Sequence, residues 1–277
     1  MDNKDVVLME NHNDALSWWR KTCQNKRILV HVDAHFDFAW IADRDPHEIL
    51  NAKSLSDFKT LAKRSHFWNF SGRKKDELTH IGNYIYPAIK ENIIREFYWI
   101  VPDPVFSNKR KILRLRQDID GIIKLHSKEG EKLNWHGPYL TSSIYGVKLV
   151  ICRLKDLPEF EEDVLLDIDV DYFIDKEKPW LYTDVFIQRL KEQGLKSDLI
   201  TIAYSVEGGF TPIGYKFIGD HLAYLFNGHA GEMSQFDRAV SLIIKAMKAK
   251  DAKLYKDAIL YLKEADSYHP GYAPIYY

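Results

Sequence analysis

Two short segments, HVDAHFD and LDIDVD, place acids and imidazoles at alternate positions. The side chains concerned are Asp33, His35 and Asp37 in the first segment and Asp167, Asp169 and Asp171 in the second. Alternate residues of an extended chain point to one side, so each segment can offer several ligand groups to one point. Carboxylates in this number repel one another unless cations neutralise them, and bound divalent metal is therefore the simplest interpretation.

The ligand types indicate which ion would bind. Carboxylates with one or two imidazoles and no thiolate suit manganese, followed by iron, cobalt, zinc or magnesium. Two such ions close together share bridging carboxylates and acidify a bridging water. This water can act as the nucleophile of a hydrolysis reaction, so the pattern indicates a hydrolase. Acids at a strand end also occur as helix caps, solvated turns or calcium loops. The apolar residues that alternate with the acids of VLLDIDV favour a buried strand, and with it the metal site.

The elements that must position these groups alternate between strands and helices. Apolar, β-branched runs predict strands at residues 6–9, 27–32, 96–101, 148–153, 164–170 and 199–206. Helical spacing predicts helices at residues 15–23, 56–63, 81–94, 186–191 and 236–248. The basic run at 107–118 is interpreted as a solvated helix face in preference to an anion site. The pattern predicts an α/β fold, a three-layer αβα sandwich with a mostly parallel sheet. Ligands of such sheets bind at the carboxyl ends of the strands, where His12, Asp33 and Asp169 are expected to meet.

The length of 277 residues predicts one large domain, residues 1–250, with a short helical tail, residues 251–277, packed on it. The tail resembles the end of one tetratricopeptide-type repeat and the start of the next. A solenoid needs several repeats to bury its faces, so we expect a packing helix pair, with partner docking as a lesser alternative.

Composition excludes several classes of protein. The net charge of −1 provides no field to gather nucleic acid or anionic lipid, and nothing in the sequence suggests a membrane protein. The acidic N-terminus lacks the basic and apolar regions of a secretory signal, so a cytoplasmic location is expected. Cys23 and Cys152 have no metal-type spacing, which fits a reducing compartment, and both are interpreted as structural.

The quoted motifs resemble a known superfamily. HVDAHFD is similar to the D-A-H-x-D motif of arginases, agmatinases and histone deacetylases, DIDVD is similar to their second metal motif, and His12 stands where the family has its first metal-binding histidine. Glu207, in SVEGGFTP, resembles the acid that meets the guanidinium group in arginases. Two departures exist: MENH replaces the usual Gly-Gly-Asp-His, and Tyr172-Phe173 replaces a proline-containing end.

These departures resemble a divergent branch of arginase-like domains that includes peptide arginases of ribosomal-peptide biosynthesis, where ENHND, HVDAHFD, an HIGNYI-type segment and LDIDVDYF recur in this order. The resemblance implies a manganese enzyme that converts arginine residues of a precursor peptide to ornithine and releases urea. It implies two ions per chain, the first held by His12, Asp33, Asp37 and Asp169 and the second by His35, Asp33, Asp169 and Asp171. It further implies Glu207 as the substrate-binding acid, with Asp171 or a nearby histidine as the proton relay.

Several assignments stay open. His80 is the candidate relay histidine, although it is as often a structural residue, and His66, His136, His221 and His229 are rivals. Asp169 and Asp171 are preferred as ligands over Asp167 and Asp169, which leaves Asp167 to support the ligands. Glu207 is alternatively a helix-capping acid. Trp18, Trp40 and Trp68 are candidates for lining a peptide groove.

Three other functions stand beside this one. A deacetylase on the same fold typically uses one zinc ion with fewer carboxylates, whereas His12 and Asp37 fill the positions of a further metal. Free arginine or agmatine is a further possible substrate. A non-catalytic peptide-binding module with a vestigial metal site is the third, and the complete set of ligand residues weakens it. The sequence predicts no oligomeric state.

Overall fold

The computed structural model describes residues 4–22, 26–38, 81–126, 132–176, 178–228 and 234–276. The predictions that fall outside these ranges concern the helix at 56–63 and the residues Cys23, Trp40, His66, Trp68, His80 and His229.

A large, mostly parallel sheet of eight strands forms the centre of the described chain. Its strands are β1 Asp5–Met9, β2 Arg27–Val32, β3 Ile94–Ile100, β4 Asn134–His136, β5 Tyr139–Ile144, β6 Val147–Cys152, β7 Val164–Asp169 and β10 Ser197–Ala203. They lie in the order β1-β10-β7-β2-β3-β6-β5-β4. The first six are parallel, while β5 and β4 pair antiparallel at one edge. A separate two-stranded ribbon joins β8 Ile174–Asp175 to β9 Lys178–Pro179. The predicted α/β class and parallel sheet are confirmed.

Successive side chains of each strand point to opposite sides, so the sheet has two faces to bury. Helices pack against both of them. The helices are α1 Ala15–Thr22, α2 Ile85–Lys90, α3 Lys109–His126, α4 Thr183–Glu192, α5 Phe217–Asn227, α6 Gln235–Asp251 and α7 Tyr255–Tyr268. Ile28, Val30 and Val32 of β2 enter the core shared with α4, α5 and α6. Leu29, between them, enters the opposite core with α1, α2 and α3. Because both faces are covered, β7 is buried along its whole length.

The helix predicted at residues 81–94 is shorter in the structure, and this prediction is wrong at both ends. The helix begins at Ile85 and ends at Lys90, and Ile94 already belongs to β3. Asn92 adopts a left-handed conformation (φ 58°), and the Ile93 amide donates to the Ala88 carbonyl. A left-handed asparagine after the last turn is a common helix stop, which ends the helix before the β-branched pair that starts the strand.

The order of the strands contains a point where the chain reverses its direction of winding. From β2 the chain proceeds to β3 and β6, and then returns to the other side of β2 to form β7 and β10. The crevice at the carboxyl ends of β2 and β7 is therefore a topological switch point, where open parallel sheets bind ligands. Asp33 follows β2, and Asp169 is the last residue of β7.

The C-terminal helix α7 packs on α6. Ala246 and Ala249 of α6 contact Ala258 of α7, and the side chains of Tyr261 and Leu262 cover this small contact. Small residues on both helices allow the two backbones to approach closely.

Across the described ranges, none of the helices combines the length and the apolar character that crossing a bilayer requires.

Candidate metal centre

Three segments bring acids and imidazoles together at the carboxyl edge of the sheet. His12 starts a single 3₁₀ turn between β1 and α1, Asp33 leaves β2, and Asp169 ends β7. All three side chains are buried. Each stands where a strand stops and the chain turns, so the edge of the sheet itself fixes their positions.

The Nδ1 atom of His12 is the centre of the first group. It lies 3.1 Å from Asp33 Oδ2, 3.3 Å from Asp37 Oδ2 and 3.2 Å from Asp169 Oδ2. An imidazole nitrogen can form one strong hydrogen bond, yet three carboxylate oxygens surround this one. Asp37 reaches the group from a left-handed conformation (φ 47°), which is unusual for a residue with a side chain.

The second group is formed by Asp33, His35 and Asp171, with one ligand atom from each within 4.8 Å of the others. His35 Nδ1 lies 2.7 Å from Asp171 Oδ2 and 3.6 Å from Asp33 Oδ1. The Asp33 carboxylate therefore faces both groups, with Oδ2 toward His12 and Oδ1 toward His35. His35 is half exposed, whereas Asp33 and Asp171 are buried.

These contacts fit metal ligation better than they fit hydrogen bonding. His12 Nδ1, Asp33 Oδ2 and Asp171 Oδ2 are buried and have no hydrogen-bond partner of acceptable geometry within the described ranges. Such atoms are costly to bury. An octahedral ion about 2.1 Å from its ligands holds neighbouring ligand atoms about 3.0 Å apart, close to the separations around His12 Nδ1. The buried cluster of His12, His31, Asp33, Asp167 and Asp169 could thus hold metal ions.

The pKa values show the cost of gathering these acids. Burial and the neighbouring Asp33 carboxylate raise the pKa of Asp37 to about 7. Burial and the Asp169 carboxylate likewise raise the pKa of Asp171 well above its usual range. For His12, burial alone would lower the pKa, but Asp167 and the other carboxylates outweigh it and raise the pKa. A divalent cation would offset this excess of negative charge.

Asp167 lies on the far side of His12 from the first group. Its Oδ2 atom is 2.9 Å from His12 Nε2, and it accepts hydrogen bonds from Tyr84 Oη at 2.7 Å and, with the proton on Nδ1, from His31 at 2.9 Å. Thr201 Oγ1 donates to the other oxygen. A carboxylate beside Nε2 favours the proton there, which leaves the lone pair of Nδ1 for the first group.

Asp169 and Asp171 are held by the chain around them. The Asp171 amide donates to Asp169 Oδ1 at 2.9 Å, and the hydroxyl of the buried Ser205 donates to Asp169 Oδ2. Ser205 follows β10 in a left-handed conformation (φ 54°). Strained backbone of this kind persists where the surrounding structure fixes it, and it is concentrated at functional sites.

Acidic and aromatic residues lie at the same edge, after β1 and β10. The Glu207 amide donates to Glu10 Oε1 at 2.7 Å, which joins the loop after β10 to the chain after β1. The Glu207 side chain is exposed. The ring of Phe210 packs edge-on against His35, with 4.8 Å between the ring centroids.

No protein-family model and no curated protein matches this chain. The likeness to the arginase superfamily therefore rests on the quoted motifs.

The six residues expected to bind metal lie together in the structure: His12, Asp33, His35, Asp37, Asp169 and Asp171. Glu207 stands at the same sheet edge on the loop after β10, and His80 lies outside the described residues. Of the rival histidines within the described ranges, His221 shares a hydrogen bond with Thr183 and His136 lies on the edge strand β4. Trp18 stands on α1, and the Lys21 ammonium group lies over its ring.

Sequence reasoning missed four residues that support the ligands: His31, Tyr84, Thr201 and Ser205. One of them carried a usable signal. His31 lies two residues before Asp33, at the end of β2, and an extended chain that continues through Asp33 points both side chains to the same face. Thr201 is level with Asp167 on the adjacent strand, a relation that the sequence does not contain without the strand pairing.

Proposed function

We propose that this chain is a manganese-dependent hydrolase with an arginase-like three-layer fold, which converts arginine residues of a peptide to ornithine and releases urea. One observation carries the proposal. Two groups of ligand atoms, one around His12 Nδ1 and one around His35 Nδ1, adjoin each other through the carboxylate of Asp33. A shared carboxylate between adjacent ligand groups is the arrangement that a two-ion site requires.

The resemblance to the arginase superfamily implies two ligand sets, and the contacts of Asp33 with both groups support them. The first ion would be held by His12, Asp33, Asp37 and Asp169. The second would be held by His35 and Asp171 with Asp33 and Asp169 as the shared acids. Oxygen-rich sets with one imidazole each suit manganese, and the absence of cysteine from them disfavours a structural zinc site.

Two bound ions would supply an acidified water and positive charge for the oxygen that develops negative charge during hydrolysis. The chain contributes the rest. Hydrolysis breaks the bond between the guanidinium carbon and the nitrogen nearest the main chain, and that nitrogen must gain a proton to leave as the ornithine amine. Asp171 is the proposed proton carrier, because its Oδ1 atom accepts one long hydrogen bond, 3.3 Å from the Ala34 amide, and retains the capacity to accept another.

The acids at the sheet edge favour a cationic substrate. Glu10 and Glu207 approach each other through the Glu207 amide, and both belong to segments that leave the carboxyl ends of strands. Carboxylates attract a guanidinium group, whose planar fork matches them in geometry and whose charge is permanent. The half-exposed His35 leaves the second group open toward solvent, which suits an arginine presented on a peptide.

The test is the release of urea and ornithine from an arginine-containing peptide by the manganese-loaded protein. Asp33→Asn and Asp169→Asn should abolish release, since each removes an acid that the proposal assigns to both ions. Glu159→Gln is the matched control, because Glu159 is an exposed acid. Equal urea release by the parent and all three variants would refute the proposal, and acetate release from an acetyl-lysine peptide without urea would replace it with deacetylation.

A further inference from the structure

An apolar cavity of about 460 Å³ lies between the C-terminal helix pair and the segment that leads into α5. This volume is within the range of about 300–1,000 Å³ that is usual for ligand-binding cavities. Residues from four parts of the chain line it, among them Ile213, Tyr215, Met247, Lys250, Ile259 and Pro274. None of them belongs to the candidate metal centre.

One wall of the cavity, Pro212 to Tyr215 with Phe217, belongs to the segment that leaves the carboxyl end of β10, the same sheet edge that carries the metal centre. A Cβ atom on Gly219, in the first turn of α5, would stand 2.6 Å from the ring of Tyr204, the residue that follows β10. Asp220, the next residue, accepts hydrogen bonds from the hydroxyls of both Tyr204 and Tyr272. The start of α5 and the C-terminal segment are thereby fixed beside the carboxyl end of β10, where Ser205 holds Asp169.

The lining has a distinct chemical character. Its walls are aliphatic and aromatic, and parts of them are open to solvent: Ile259 is 53% exposed and Tyr255 is 60% exposed. Lys250 is the one charged residue in the described lining, and its side chain makes no ion pair within the described ranges. The neighbouring Lys248, by contrast, pairs with Asp184 at 2.6 Å.

A cavity of this kind selects an occupant with an apolar body and one negative charge. Burial of a hydrophobic group against the apolar walls lowers the free energy of the complex. The ammonium group of Lys250 favours a carboxylate at the rim. Exposed apolar surface in a concave site is a common property of protein-binding and peptide-binding surfaces.

We propose that this cavity binds an apolar segment, bearing one acidic residue, of the same peptide whose arginine enters the metal centre. This inference rests on the proposed function for the identity of the peptide. Pro212 and Ile213 of the cavity lining belong to the same loop after β10 as Ser205, which holds Asp169, and this shared loop is the basis for assigning both places to one peptide. Selection of the peptide would then depend on residues away from the arginine, and the metal centre would need to recognise little more than the guanidinium group.

The experiment uses a fluorescein-labelled peptide in which a Leu-Phe-Leu-Glu cluster is joined to one arginine by glycine-serine spacers of increasing length. Its affinity for the full chain is measured by fluorescence anisotropy, with and without the arginine. Ile259→Glu should weaken binding by about tenfold or more, as the loss of a buried apolar anchor does. Leu260→Glu is the matched control, since Leu260 is also exposed on α7 but does not line the cavity.

A second experiment tests the role of the Lys250 charge by combining a protein variant with a peptide variant. It does not require the Ile259→Glu protein to fold. Lys250→Met should weaken binding of the glutamate peptide by several-fold and should leave the matched glutamine peptide unaffected. Equal losses for Ile259→Glu and Leu260→Glu, or equal losses for both peptides with Lys250→Met, would overturn the inference. Tighter binding of decanoate than of any peptide, with displacement of the peptide, would also overturn it and indicate a lipid site.

The experiments distinguish a failure of the hydrolase proposal from a failure of the cavity proposal. Peptide lacking the arginine should still bind the cavity, so cavity-dependent binding without any urea release would refute the hydrolase and keep the cavity assignment. If urea is released, Ile259→Glu should raise KM for the clustered peptide and leave kcat unchanged, because the cavity does not touch the reacting group. An unchanged KM would refute the link between the cavity and the substrate.

Discussion

Replacing Asp167 by asparagine tests whether this residue orients His12 for metal binding. Asp167 is fully buried, and its Oδ2 atom lies within 2.9 Å of both His12 Nε2 and His31 Nδ1. The amide introduced by Asp167→Asn can keep an oxygen in that position, with its nitrogen toward Thr201, whose hydroxyl can turn to accept. The substitution therefore preserves shape and most hydrogen bonds, and it removes the negative charge.

The size of the effect follows from the charge. Asp167 Oδ2 forms a hydrogen bond with His31 Nδ1 and a charge contact with His12 Nε2. Hydrogen bonds to a charged group contribute about 1.5–3 kcal/mol and neutral ones about 0.5–1.5 kcal/mol, so about 1 kcal/mol is lost at His31, and the electrostatic attraction at His12 is lost as well. With the charge gone, His12 is also less strongly fixed in the form that has its proton on Nε2. Residues that orient a metal-binding histidine typically change metal affinity by about 10–100-fold when replaced. We expect the dissociation constant for manganese to rise within this range.

The assay is titration of the metal-free protein with Mn²⁺ at a pH of about 7.5, with free ion measured from its electron paramagnetic resonance signal. Tyr84→Phe serves as the graded control, because it removes one donor to Asp167 and keeps the carboxylate beside His12. Unchanged affinity in a folded Asp167→Asn protein would refute the orienting role. Complete loss of binding, equal to that of Asp33→Asn, would show that Asp167 is itself a ligand.

Two further predictions concern the rest of the fold. Gly219→Ala should lower the free energy of unfolding by about 1–3 kcal/mol, since the new Cβ would overlap the Tyr204 ring. Gly121→Ala, with open space around it in α3, should raise the free energy of unfolding by about 0.5–1 kcal/mol. Unfolding in urea measures both changes, and changes of the same sign would contradict the packing at Gly219. Burial lowers the pKa of His221, which shares a hydrogen bond with Thr183, from 6.5 to about 4, so protonation favours the unfolded chain. The contribution of His221 to the free energy of unfolding is therefore complete above pH 6.5 and is lost as the pH falls toward 4. Between about pH 7 and about pH 5 the loss from this group is about 2 kcal/mol, and a His221→Gln variant with the same pH dependence as the parent would contradict the assignment.

The sequence contains enough information for the strands that carry the centre. The strand at residues 27–32 has the predicted bounds, because six consecutive buried or half-buried residues, most of them β-branched or aliphatic, lead directly into the acids. The meeting of His12, Asp33 and Asp169 follows from the parallel sheet, since the carboxyl ends of parallel strands share one edge.

Other features depend on contacts between residues that are far apart in the sequence, and a local pattern does not encode such contacts. His31, Asp167 and Thr201 form a polar row across three strands, each level with the next. This row becomes visible when the pairing of β2, β7 and β10 is known. Tyr84 completes it from a segment that local helical spacing places inside a helix, while the structure puts it before the first turn of α2.

The C-terminal cavity likewise cannot be predicted from a local pattern. Its walls come from the segment before α5, from two helices and from the last turn of the described chain, so no single window of sequence contains them. The helical pattern of residues 253–277 indicates apolar faces, but which of these faces remain open depends on how α6 and α7 pack.

The most direct measurement is anomalous diffraction at the manganese absorption edge from crystals of the full chain grown with Mn²⁺. We expect two peaks at the carboxyl edge of the sheet, one against His12 and Asp37, the other against His35 and Asp171, with Asp33 touching both. Crystals that show manganese elsewhere or nowhere, with these side chains in hydrogen bonds to one another, would contradict the metal centre and the hydrolase built on it.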